Sequence, residues 1–221
     1  NSGIGGGCFL VLRLEDGRLI AIDGRETAPQ KTKSKLFMAN GKVVPERSRT
    51  GALAVGTPGA LAAYAYAAEQ YGSLSLKNLL LPAAQIAEHG FSVDATFAKR
   101  LAGEQKNILQ FAETRKVLLH ADKTPYLQGE NLQLPDLART YREIATHGAD
   151  WFYQGPFAQQ VAAWMKKNNG VLSAEDFHGY QVQQRKPLIS HYQNRTIVGF
   201  PPPSSGGVHV AEILNILENF D

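Results

Sequence analysis

The chain lacks most of the features that announce a function at first sight. Its single cysteine, Cys8, cannot form an internal disulfide and has no partners for a metal site. One thiol suits a reducing cytosol and a thiol-avoiding periplasm alike. The net charge is only +3, from 23 basic and 20 acidic residues, and no lysine- or arginine-rich run occurs. This argues against a nucleic-acid surface. No apolar run approaches the ~18 residues of a membrane span. None of the six histidines falls in an H-E-x-x-H motif. G-x-S-x-G, S-x-x-K and a Walker lysine are all missing.

What is present is enough apolar material for a core, with 43% hydrophobic and 19% charged residues among 221. "CFLVLRL" (Cys8 to Leu14) and "RLIAIDG" (Arg18 to Gly24) flank "EDG". Asp16-Gly17 between two apolar runs predicts a hairpin with a type I′ turn. A polar stretch from Arg25 to Thr50 reads as a long loop that crosses the surface or lines a site. Helical patterns follow in "TPGALAAYAYAAEQYG" and "SLKNLLLPAAQIAEHGF", with Pro82 as a start or kink. A long amphipathic helix is predicted over "DATFAKRLAGEQKNILQFAETRKVLLH", then two more in "LPDLARTYREIATHG" and "GPFAQQVAAWMKKNNG". His89 and His147 precede glycines at helix ends, where a cation suits the helix dipole. Ser173 with Asp176 resembles a capping box. "YQVQQRKPLISHYQNRTIVGF" alternates as two or three strands, and a last helix is predicted over Gly207–Phe220. Without regular βαβ alternation or internal repeats, this order predicts an α+β fold in a single domain, residues 1–221. The chain also reads as a piece trimmed at both ends, opening inside a glycine loop and stopping as a helix finishes.

Three stretches invite chemistry. "GIGGGC" misses G-x-G-x-x-G because Cys8 stands at the last glycine, and it precedes a strand instead of opening a helix. It reads as a tight backbone passage. "FPPPSSGGVHVAEIL" (Phe200 to Leu214) sets Ser204 and Ser205 in a rigid corner. Either Ser205 caps the final helix, or one of the two serines is a nucleophile. "DGRETAP" (Asp23 to Pro29) puts Arg25 just beyond a strand end. Its guanidinium is either a fork for a substrate carboxylate or a partner for Asp23 or Glu26.

At these residues the chain resembles the large subunit of bacterial γ-glutamyltranspeptidases (glutathione hydrolases). The matching stretches are "SGIGGG", "DGRETAP", "VGTPGALAAY", "YGSLSLKNLLLPAAQIAEHGFSV", "GADWFYQG", "LSAEDFHGYQVQQRKPL" and "FPPPSSGGVHVAEILNILENFD", in the family's order across the chain. Cys8 departs from a glycine common in the family's loop.

The resemblance implies an incomplete portion of the large subunit of an N-terminal-nucleophile hydrolase, an αββα sandwich. It implies a precursor that cuts itself, and a small-subunit partner whose first residue is the nucleophilic threonine. That threonine lies outside this chain, so no catalytic residue falls within it. The implied activity removes the γ-glutamyl group of glutathione and related amides and passes it to water, amino acids or peptides. No metal or cofactor is implied, and the location is periplasmic or secreted. Arg25 matches the arginine that binds the substrate's α-carboxylate, and the proline–serine corner matches a family signature read as scaffold near the subunit interface. Two other readings are a β-lactam (glutaryl-type) acylase of the same superfamily and a non-catalytic large-subunit-like binding domain. A serine hydrolase using Ser205 is a third.

Overall fold

A computed structural model describes residues 3–220. The fold is mixed α+β, and the chain divides into two compact units. One takes the residues up to Ser75 together with those from Ala149 onward, and the other is Leu76–Gly148.

The first unit opens on β1 (Cys8–Arg13) and β2 (Leu19–Gly24), antiparallel, with Cys8 opposite Gly24 and Arg13 opposite Leu19. Their turn differs from the expected type I′. Gly17 is left-handed at φ 86, whereas Asp16 is not among the residues with positive φ. Gly17 N–H donates to Leu14 O at 3.0 Å, and Leu14 N–H to Arg18 O at 2.9 Å. This is a three-residue loop closed by a left-handed glycine. Asp16 favours it by accepting from the Arg18 amide and Nε at 3.0 and 2.6 Å.

The Arg25–Thr50 stretch holds more structure than a loop. β3 (Met38–Ala39) and β4 (Lys42–Val43) pair about Asn40 and Gly41, at φ 49 and 73. The two-residue turn with both φ positive therefore forms at Asn-Gly, not at Asp16-Gly17. α1 (Ala60–Tyr71) then packs Ala63 against Ile20 and Ile22 of β2, with Leu10, Leu12 and Tyr66 around them.

The second unit begins with α2 (Leu76–His89), which runs through Pro82 rather than starting there. β5 (Phe91–Ser92) leads to α3 (Ala95–Ile108), capped by Asp94, whose Oδ1 accepts from Phe97 N–H at 2.7 Å. The single long helix expected here breaks after Ile108, and α4 (Ala112–Leu118) follows. The break lets Leu101, Ile108 and Leu119 share one buried cluster, which a straight rod would not allow. β6 (Asn131–Leu132) pairs with β5, and α5 (Pro135–His147) packs on α2. Gly90 and Gly148, left-handed at φ 88 and 77, follow His89 and His147 at the helix ends.

The chain then returns to the first unit. α6 (Asp150–Tyr153), α7 (Pro156–Lys167) and α8 (Ala174–His178) gather Phe152, Phe157 and Phe177 into an aromatic cluster. α8 carries the expected capping box of Ser173 and Asp176, and Asp176 also accepts from Gln30 N–H at 2.8 Å. β7 (Gln183–Arg185) joins the free edge of β2, giving the order β1-β2-β7. β8 (Leu188–Tyr192) and β9 (Arg195–Gly199) form a hairpin, and α9 (Gly206–Leu217) follows, ending three residues short of the expected Phe220.

Candidate functional site

β2 is the rigid element that delivers Arg25. Its residues from Ile20 to Gly24 are buried, and Arg25 is the first exposed one beyond them. Asp23, 6% exposed, accepts at Oδ2 from Arg185 Nε at 2.6 Å and at Oδ1 from the Arg25 amide at 3.0 Å. The pairing register explains the first bond. Ala21 lies opposite Arg185 and Asp23 opposite Gln183, so Asp23 and Arg185 are diagonal neighbours on one face of the sheet.

Asp23 is therefore engaged by an arginine other than its sequence neighbour. Among the described residues Arg25 joins no ion pair. Its Nη1 donates to Pro203 O at 3.3 Å, and its own carbonyl accepts from Tyr180 Oη at 2.8 Å. Burial pushes the Tyr180 phenol up to about 12, with Asp23 adding to the shift, so at neutral pH Tyr180 remains a donor. The Tyr180 ring stacks on Tyr153 at 5.8 Å. Tyr153 Oη in turn donates to Pro58 O at 3.0 Å and accepts from Ala62 N–H at 3.1 Å, and burial raises this phenol as well.

Arg25 opens onto a cleft of about 420 Å³. Cys8 and Glu26 line it from the ends of the hairpin, and Pro203, Ser204 and Ser205 line it from the corner after β9. Phe9 stacks on Phe200 with centroids 4.3 Å apart, which pins the corner against β1. The corner reverses with Ser204 N–H donating to Pro201 O at 3.1 Å and a cis Pro202–Pro203 bond. Close approach needs Gly207, where a Cβ would run into Phe200 O. Ser205 occupies the N-cap position of α9, yet its side chain makes no capping bond. Ser204 Oγ accepts from Gly206 N–H instead, at 3.3 Å. Ser205 has a helical backbone at φ −77, ψ −22, which does not present its hydroxyl to the first turn as an extended N-cap residue would. Among the described residues no histidine bonds to either serine. Burial, with Glu26 and Asp23 nearby, raises the Cys8 thiol, which keeps it protonated and weakly nucleophilic.

The glycine loop is filled by the protein itself. Gly6 O accepts from both Gly59 N–H and Ala60 N–H at 2.9 Å, taking up amides at the start of α1 that a phosphate would need. A Cβ on Gly7 would sit 2.7 Å from Gly24 O and from Glu26 Oε2. Among the described residues no group of three or more His, Cys, Asp or Glu could hold a metal ion, and no helix is long and apolar enough to cross a membrane.

The Gamma-glutamyltranspeptidase family profile matches residues 1–221. The chain belongs to that family. It is 37% identical over 219 residues to a "Glutathione hydrolase proenzyme" of Escherichia coli, covering 99% of this chain and 38% of the relative. An "Acylase ACY 1 proenzyme" of a Pseudomonas species is 34% identical, over 99% of this chain and 40% of the relative. The γ-glutamyltranspeptidase of Helicobacter pylori superimposes with a TM-score of 0.94 at 38% identity, over 99% of this chain and 63% of that one. The chain thus spans about two fifths of the length of these curated relatives.

For this γ-glutamyltranspeptidase-family chain, sequence reasoning named Arg25 as a candidate and missed three groups around it: Arg185, Tyr180 and the Pro203 carbonyl. They lie 155 or more residues further along, as the Tyr180 and Arg185 bonds show. Strand alternation would have placed Arg185 on the Asp23 face had the pairing of β2 with β7 been known.

Proposed function

We propose that this chain is the large-subunit portion of a γ-glutamyltransferase and glutathione hydrolase, in which Arg25 binds the α-carboxylate of the γ-glutamyl group. The observation that carries the reading is the Arg25 guanidinium at the cleft, with its neighbouring acid Asp23 already held by Arg185. A planar fork of donors left without a carboxylate suits a carboxylate arriving from solution.

The remaining chemistry belongs to the small-subunit partner, cut from the same precursor within an N-terminal-nucleophile αββα sandwich. Its first threonine attacks the γ-carbonyl through Oγ, with its α-amine taking the proton. The C–N bond breaks, the amine leaves protonated, and a γ-glutamyl ester remains. Water or an acceptor amine then attacks the ester and restores the hydroxyl. Glutathione is the proposed donor and the periplasm or exterior the proposed location. The present chain alone would then be inactive, since it lacks the nucleophile.

The test combines two measurements on the full-length protein. Intact mass should show two chains, the smaller beginning at threonine. Arg25→Ala should raise KM for a γ-glutamyl anilide by about 10- to 100-fold, the loss of roughly 1.5–3 kcal/mol in a charge-assisted bond. An uncut chain, or an unchanged KM, would overturn the reading. The acylase relative supports a second possibility, since a glutaryl side chain carries a carboxylate in the equivalent place. Faster turnover of glutaryl than γ-glutamyl amides would favour it.

A further inference from the structure

Resting on that reading of Arg25, we infer that Asp23, Arg185 and Tyr180 are positioning residues that hold Arg25 at the cleft and keep its guanidinium available. The backbone of Arg25 is gripped on both sides. Its N–H donates to Asp23 Oδ1 at 3.0 Å, and its C=O accepts from Tyr180 Oη at 2.8 Å. With both peptide groups bonded, the side chain leaves the end of β2 in one direction. Pro203 O at 3.3 Å then orients the guanidinium while engaging one of its five N–H donors.

Arg185 has a different task. Asp23 is two residues from Arg25 and nearly buried, so, like Glu26 at the cleft, it is an internal competitor for the guanidinium, and the buried one. The Arg185 Nε bond of 2.6 Å occupies Oδ2, and the Arg25 amide occupies Oδ1. Both carboxylate oxygens are thereby engaged and the negative charge is matched by a second cation. Removing Arg185 would leave a buried, unmatched carboxylate bonded to the Arg25 amide, and the Arg25 guanidinium, two residues along the chain, is the cation we infer it would draw in. Substrate would then have to displace Asp23. Tyr180 is placed for its own role by the Tyr153 stack and by Gly59, where any Cβ would overlap the Tyr180 hydroxyl.

The experiment uses the full-length, self-processed enzyme and a γ-glutamyl anilide. Arg185→Gln should raise KM roughly tenfold with kcat retained, as expected when a charge-assisted contact is lost to a competitor. Adding Asp23→Asn, which removes the competing charge but keeps an acceptor for the Arg25 amide, should bring KM back to within about threefold of the parent. A merely structural pair would show its loss and rescue in the unfolding midpoint and in kcat together with KM, whereas a positioning pair moves and restores KM with kcat retained. Tyr180→Phe should raise KM roughly threefold to tenfold, and should add nothing in an Arg25→Ala background. If Arg185→Gln alone and with Asp23→Asn raise KM alike, or Tyr180→Phe costs the same in both backgrounds, the positioning role is overturned. If Arg25→Ala itself leaves KM unchanged, the carboxylate reading fails and this inference with it. If Arg25→Ala raises KM while Arg185→Gln does not, only the part given to Arg185 and Asp23 fails. Should Arg185→Gln not yield folded protein, the Tyr180→Phe cycle, which removes a single hydroxyl, decides the matter.

Discussion

The two units of the chain use their charges differently. In the unit that carries Arg25, buried carboxylates are tied across long stretches of chain: Asp23 to Arg185, 162 residues apart, and Asp176 to the Gln30 amide, 146 apart. In the Leu76–Gly148 unit most pairs are local and exposed. Arg139 meets Asp136 three residues away and His147 meets Glu143 four away, while His120 meets Glu130 ten away as a half-buried pair. Arg142 with Glu88, 54 apart, is the long-range exception, and both side chains are about half exposed. Exposed pairs contribute little, whereas a buried carboxylate dictates what surrounds it. The first arrangement fixes the strand end that carries Arg25, and the second mainly trims helices and loops.

Removing a charge from each unit should break the comparison if it is wrong. Asp23→Ala in the full-length protein should have the largest effect, about 3 kcal/mol, because it strands Arg185 and the Arg25 amide. Arg185 is 37% exposed, which keeps the cost from rising further. Chemical denaturation would measure it, and a loss below about 1 kcal/mol would mean the tie is dispensable. Gly59→Ala comes next. Its Cβ would overlap Tyr180 Oη and lie 2.5 Å from Gly24 O, so about 1–3 kcal/mol should be lost to overpacking. A wild-type unfolding midpoint would show that Tyr180 can move aside freely.

Smaller effects belong to the second unit. The Leu127 amide, followed by His120, holds the Glu130 carboxyl below its usual 4.5. Because the folded value is the lower one, its contribution is full above 4.5 and fades as pH falls through the folded value. The protection factor of the Leu127 amide, its NMR exchange rate corrected for the intrinsic pH dependence, should therefore fall with acid in that window, and constant protection would contradict the assignment. Arg139→Ala should do least, shifting stability by no more than ~0.5 kcal/mol. A change above 1 kcal/mol by the same denaturation assay would erase the contrast between the units.

Much of the fold was legible where a local signal exists. The first hairpin, the capping box at Ser173 and the glycine stops after His89 and His147 all follow from residues adjacent in the chain. Elements escaped where the local signal was weak or shared. The Asn40-Gly41 hairpin has strands of two residues each, too short for alternation to show. The break between α3 and α4 contains neither proline nor glycine, and the apolar positions run through it unbroken. The Ser205 cap was expected from residue type, but side-chain capping also requires an extended backbone that the corner does not supply.

The site divides along the same line. Residue type and strand position singled out Arg25 as a candidate fork for a carboxylate but left pairing with Asp23 or Glu26 equally open, and only the family resemblance favoured the fork. Its availability was decided in three dimensions. Asp23 and Glu26 flank it in sequence, and sequence distance made both equally good partners. Only the pairing of β7 with β2 brings Arg185 to Asp23, and only the corner after β9 brings Pro203 to the guanidinium. Backbone preferences and turn chemistry act over a few residues, so the chain itself spells them out. Charge pairing acts through space, and folding chose the partner.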